Sequence, residues 1–279
     1  MSKMAIAHGF EQLKVFLNEG AKFEPVTQAI RDAATVLEKG DIFLFTFSGH
    51  GSTAQTSSGE DDGQDETILL HDCILIDNYL RRVLWSKFDE GVRILGVADC
   101  CHAGSVLFAF NFGNALKSVS SFFGGLVQTV SASFAPSAVM TPLINVGTNG
   151  VDVGPRIRGF TKDVQERIIS ESFEINQRIT HELATEGKEP EATLLTLAAC
   201  GDRENALDGD DNGAFTKAML EVLPAVLASN PPGNYDNLMT GIADNFSIKG
   251  IKKQTPTRYP KVNPDLAFLG QTPFTISAP

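Results

Sequence analysis

Cysteine is scarce in this chain: only four among 279 residues, Cys73, Cys100, Cys101 and Cys200, two of them neighbours. Neighbouring cysteines rarely cross-link, and a chain of this size needs no disulfide staples, so a disulfide framework is excluded and a cytoplasmic setting is expected. Long apolar runs are missing too. The longest uncharged stretch, 118–151, is broken by Gly, Ser, Thr, Asn and Pro, which excludes an apolar membrane span of about 18 residues. The first ten residues lack the charged start and apolar core of a secretory leader. Basic charge is short: 23 Lys and Arg stand against 34 Asp and Glu, for a net charge of −11. Nucleic acid is therefore excluded as the main partner, because phosphate binding needs clustered cations. There is no Cys-x-x-Cys redox motif and no internal repeat.

What is present is an alternation of apolar runs and amphipathic stretches. Ile42 to Phe47, Val92 to Ala98 and Thr193 to Ala199 read as buried strands, apolar and rich in branched residues. A shorter strand is expected at Leu13 to Leu17 and another at Thr67 to Leu70. Ala5 to Leu13 reads as the tail of a helix. Pro25 and Thr27 introduce a helix that Gly40 stops, and Asp77 is a good N-cap for one carrying Leu80, Leu84 and Phe88 inward. Further helices are expected over 161–186, from Gly213 to about Leu223 where Pro224 ends or kinks it, and over 235–246. The acidic stretch 52–66 reads as a solvated loop, and the Pro-rich tail from Gln254 as extended over the surface. Residues 106–159 have no clean period and form a long loop or linker insertion. The whole is expected to be one α/β domain, 1–279, with a mostly parallel central sheet flanked by helices.

Two strands end in chemistry. Ile42 to Phe47 runs into Ser48-Gly49-His50-Gly51, and Val92 to Ala98 into Asp99-Cys100-Cys101-His102. Ligands gather beyond the carboxyl ends of parallel strands, and adjacent ends would bring a thiol to an imidazole, as nucleophilic catalysis by cysteine requires. His50 would take the thiol proton and return it to the leaving amine. The backbone N–H groups of Gly51 and Cys101 would hold the tetrahedral oxyanion. Asp99, two residues before Cys101 and so on the same side of the strand, would suit a cationic side chain. The bland readings are a packed thiol for Cys100, a turn cap for Asp99 and a structural role for a lone histidine. Zinc on Cys100, Cys101 and His102 is excluded, since consecutive residues do not converge on one ion.

These motifs resemble the caspase-like cysteine peptidases, and most closely the bacterial and metacaspase (orthocaspase) branch. Phe47-Ser48-Gly49-His50-Gly51 and Asp99-Cys100-Cys101-His102-Ala103-Gly104 carry the likeness, supported by Asp65-Glu66-Thr67 before Asp77 and by Gly213-Ala214-Phe215-Thr216. His50 stands 51 residues before Cys101, and caspases place the histidine about 50 residues ahead of the cysteine. The resemblance implies a caspase–haemoglobinase fold and a cysteine endopeptidase working through a thioester. It makes His50 the base and Cys101 the nucleophile, with Ser48 and Asp99 lining a pocket that favours Arg or Lys before the cut. It also implies autocleavage in the linker, for which Lys117, Arg156, Arg158 and Lys162 are candidates. The family's first strand, which lies inside its sheet, has no counterpart here. Calcium activates many metacaspases through an acidic cluster; Asp65 and Asp77 match it, while Asn78 and Phe108 replace acidic residues. The expectation is a monomer needing no cofactor, with calcium resting on Asp65 and Asp77 alone, acting on polypeptides that carry basic residues. The alternatives are an inactive caspase-like interaction module and a peptidase directed at Asn or Asp.

Overall fold

The computed structural model describes residues 1–55, 64–101, 156–157, 167–168, 170–201, 204–208, 212–261 and 264–276. Its centre is a four-stranded sheet in the order β1 (Ile42–Ser48), β5 (Arg93–Asp99), β7 (Thr193–Ala198), β9 (Thr257–Tyr259). The first three strands run parallel, in register from Ile42↔Arg93 to Ser48↔Asp99 and from Arg93↔Thr193 to Ala98↔Ala198. All seven residues of β5 are buried, which is why its sequence is an apolar run rather than an alternation. The Pro-rich tail is not a surface drape. It contributes β9, antiparallel to β7, and buries Phe268 and Phe274.

A second sheet, antiparallel, joins β2 (Gly51–Gln55), β3 (Gln64–Leu69) and β4 (Ile74–Ile76). Both ends of the acidic stretch expected to be loop are thus strand, 52–55 in β2 and 64–66 in β3, paired antiparallel to each other. Arg156 and Ile157, within the expected linker, form β6 and pair with β8 (Leu207–Asp208). The rest of that linker, and the start of the helix expected from 161, lie outside the described residues.

The helices are α1 (Ser2–Ala7), α2 (Phe23–Val36), α3 (Asp77–Tyr79), α4 (Phe173–Glu186), α5 (Ala214–Ala228), α6 (Tyr235–Ile248) and α7 (Leu266–Leu269). From α3 the chain continues as a π turn (Leu80–Leu84) and a 3-10 turn (Trp85–Lys87). Asp77 is the first helical residue rather than the cap, a role that falls to Ile76. Helix α1 ends early, at Ala7, and Gly9 takes the left-handed backbone that follows. Pro224 neither stops nor shortens α5, which runs four residues past it; the apolar face that carries Phe215, Met219 and Leu223 into the core outweighs the lost N–H.

Leu13 to Leu17 is extended but pairs with no strand among the described residues, and Leu13, Val15 and Leu17 are exposed. β1 is correspondingly an edge, with Thr46 and Ser48 exposed and its phenylalanines only half-buried. Phe43 and Phe45 nonetheless pack on Trp85, at ring-centre distances of 6.1 and 5.3 Å. On the far side, a buried carboxylate ties three helices together. Glu182 of α4 accepts hydrogen bonds from the Tyr79 hydroxyl (2.5 Å), from Arg31 of α2 (2.7 Å) and from Arg178 (2.7 Å). Burial alone would raise the Glu182 carboxyl; the hydrogen bonds from Tyr79 and Arg178 and the charge of Arg31 outweigh it and hold the group below the ordinary range.

Candidate active site

The parallel ladder between β1 and β5 sets the site. Its last rung is Ser48↔Asp99, and the Gly49 N–H still donates to the Asp99 carbonyl (3.3 Å). The chain on either side then runs on into the His50 turn and the Cys101 turn, which follow adjacent strand ends. The His50 side chain is exposed, and its carbonyl accepts from Leu69 N–H of β3 (3.0 Å), which pins the turn to the second sheet. Gly51 shows how close the two turns come. A Cβ placed there would lie 2.2 Å from the Cys101 carbonyl oxygen, 3.1 Å from Cys100 Sγ and 3.2 Å from the Thr67 carbonyl oxygen. Only a residue without a side chain lets these three backbones converge.

Cys101 and Cys100 are both fully buried, as is Cys200 beyond the end of β7. The Cys101 thiol donates to the Ala206 carbonyl (3.7 Å), and Cys200 Sγ to the carbonyls of Cys100 (3.4 Å) and Glu204 (3.3 Å). The candidate site thus consists of an exposed imidazole on one strand end and a buried thiol on the next, the thiol donating to the Ala206 carbonyl. A thiol is a weak nucleophile until ionised, so cysteine chemistry at this position would require the Sγ proton to leave and the Ala206 carbonyl to be displaced.

Asp99 is 1% exposed. Its Oδ2 accepts from the Thr216 hydroxyl (2.6 Å) and the Thr216 N–H (3.1 Å), at the N-terminus of α5. Gly213 makes room for this: a Cβ there would lie 2.3 Å from the carboxylate. The helix has no capping side chain of its own, so an anion from β5 satisfies its free N–H groups and faces the positive end of its dipole. Ser48, by contrast, is exposed at the end of β1.

The calcium candidates are less close to chemistry. Asp77 is buried, and its Oδ1 accepts from the Asn78 N–H (2.6 Å); Asp65 lies in β3, and its side chain is outside the described residues. Among the described residues no three His, Cys, Asp or Glu side chains come together as a metal site. His102, Lys117, Arg158 and Lys162 also lie outside the described residues, and Arg156 is described only through its backbone pairing to Asp208. Sequence reasoning missed Ala206, Gln254 and the partnership of Thr216 with Asp99. The last had a signal, because Gly213-Ala214-Phe215-Thr216 opens a helix and leaves N–H groups to be filled; the other two had none.

Residues 8–109 match the family model of the metacaspase, peptidase C14 domain. Metacaspase-1 of Candida albicans is 24% identical over 265 residues, covering 88% of this chain and 55% of that protein. Metacaspase-1A of Aspergillus oryzae is 27% identical over 221 residues, covering 76% of this chain and 48% of that protein. The chain spans about half the length of these curated relatives. A crystal structure of a Geobacter sulfurreducens protein matches with a TM-score of 0.68 at 29% identity, over 100% of this chain and 87% of that one. Fold and motifs together are similar to those of a caspase-like α/β domain. Within that class the likeness is to the metacaspases.

Proposed function

We propose that the chain is a cysteine endopeptidase that cleaves after Arg or Lys, with His50 as base and Cys101 as nucleophile. The observation that carries this reading is the in-register pairing of β1 with β5, which brings the His50 turn alongside Cys101. In the first half-reaction His50 takes the Sγ proton and the thiolate attacks the peptide carbonyl carbon. The carbonyl π electrons move onto oxygen, which the N–H groups of Gly51 and Cys101 hold. The C–N bond then breaks, the amine leaves with the proton from His50, and a thioester remains. In the second, His50 deprotonates water, which attacks the thioester; the acid departs and the thiol is restored. Ser48 and Asp99 receive the basic side chain before the cut, Asp99 sharing its carboxylate between the substrate and Thr216.

The same reading makes Lys117, Arg156, Arg158 and Lys162 candidate self-cleavage sites, and polypeptides with basic residues the substrates. It needs no cofactor for the chemistry; calcium, if used, would draw on Asp65 and Asp77. The domain acts as a monomer in a reducing cytoplasm. A second reading, a caspase-like interaction module without activity, is favoured by one observation, the burial of Cys101 under Ala206.

Cleavage of a fluorogenic Arg peptide, with and without calcium and with a Cys101→Ala protein as blank, tests the proposal. Hydrolysis that disappears in the blank and exceeds that of Asn and Asp peptides is the expected result. A folded protein silent toward Arg, Lys, Asn and Asp peptides alike overturns it in favour of the module.

A further inference from the structure

We infer that Gln254 is a positioning residue for the Cys101 thiol: its carboxamide holds the Ala206 carbonyl over Sγ and keeps the nucleophile latent until this brace lets go. The inference rests on the reading of Cys101 as the nucleophile. Gln254 lies 153 positions beyond Cys101 in the sequence and is 3% exposed. Its Nε2 donates to the Ala199 carbonyl (3.0 Å), and its Oε1 accepts from the Leu207 N–H (3.0 Å). Ala199 in turn is fixed to the buried sheet, its N–H donating to the Ala98 carbonyl (2.8 Å). One side chain thus couples the rigid end of β7 to the residue after Ala206, and so sets where the Ala206 carbonyl sits.

The neighbouring residue repeats the arrangement. The Glu204 carboxylate accepts from Thr255 N–H (2.7 Å), from Thr255 Oγ1 (2.8 Å) and from Gly201 N–H (3.2 Å). Gln254 and Thr255 together therefore grip both ends of the segment covering the thiol. The chemistry at Sγ follows. A thiol that donates to a carbonyl is favoured as S–H, because a thiolate has no proton to give and would face oxygen lone pairs. His50 can accept that proton only after Sγ leaves the Ala206 carbonyl, and a peptide can reach Sγ only after 204–208 moves. A glutamine suits the task because it donates and accepts at once; glutamate keeps the acceptor only, and methionine keeps the volume alone.

The test compares the full-length wild type with Gln254→Met. Each is alkylated with iodoacetamide, where the thiolate displaces iodide, and each cysteine is followed by mass spectrometry at several pH values. In the variant, Cys101 is expected to label about tenfold faster, the change two lost hydrogen bonds would bring. Its labelling profile should move to lower pH, while Cys73 and Cys100 keep their wild-type rates. Gln254→Glu should fall between the two and carries the test if Gln254→Met does not fold. An unchanged Cys101 rate in a folded variant overturns the inference. So does a common rise at all four cysteines in both variants, which would make Gln254 a brace for the fold alone. Peptide hydrolysis is read separately: faster labelling without hydrolysis keeps the latch and removes the peptidase, and hydrolysis without a labelling change does the reverse.

Discussion

A strand that ends in a carboxylate and a helix that begins without a cap supply each other's missing partner at Asp99 and Thr216. Replacing Thr216 by Val keeps the shape and deletes the hydroxyl donor to a buried charge, so unfolding stability should fall by about 2 kcal/mol. Urea denaturation checks this, and an unchanged midpoint would mean that the N–H of residue 216 suffices. Glu182 carries a different prediction, in pH. Its carboxyl sits below the ordinary range in the folded chain, so near pH 4.3 the unfolded chain binds the proton first. The stabilisation is present above that pH and is lost as pH falls toward the folded value. A Glu182→Gln protein should show a shallower loss of melting temperature with acid than the wild type, and parallel curves would refute this. The sequence singled out Asp99 by its place beside the thiol. Its burial under α5 was hidden, because Thr216 lies 117 residues away and no local pattern links them.

β5 and β7, buried on both faces, were legible as apolar runs, as was the half-buried β1, and all three lie within a residue of where the sequence put them. β9 was not, since Thr257-Arg258-Tyr259 is short and half-exposed and owes its structure to the edge of β7. Leu13 to Leu17 had a strand's alternation and found no strand to pair with among the described residues, for pairing is a property of neighbours and not of propensity. The unpaired side of β1 has its own consequence. Lysine at the exposed Thr46 should suppress edge-to-edge association without loss of stability, as natural edges do. Light scattering against protein concentration reads it, and equal association of variant and wild type would clear this edge. Within α5, Pro224→Ala restores a backbone donor and removes a ring clash, so stability should rise by about 1–3 kcal/mol. A lower urea midpoint would show that the helix bends around the proline for a reason of packing.

Across the whole molecule, a net charge of −11 accompanies a site proposed for cationic substrates. If the field of the chain steers them, kcat/KM for an Arg peptide should fall as ionic strength rises, while that for an uncharged peptide should not. Equal salt responses would confine the charge effect to the pocket. The site itself was legible as a pair of strand ends, since both motifs follow apolar runs; the cover over Cys101 was not, because it is assembled from the turn after β7 and the tail before β9. The ladder between β1 and β5 also separates two kinds of freedom. The His50 turn is set beside Cys101 by hydrogen bonds between strands, whereas 64–87 in the chain joining them folds into a side sheet and irregular helical turns, with Leu69 bonded to the His50 turn and Trp85 packed on β1. A change of length in 64–87 would therefore reach the candidate site through those two contacts, while the β1–β5 ladder keeps its register.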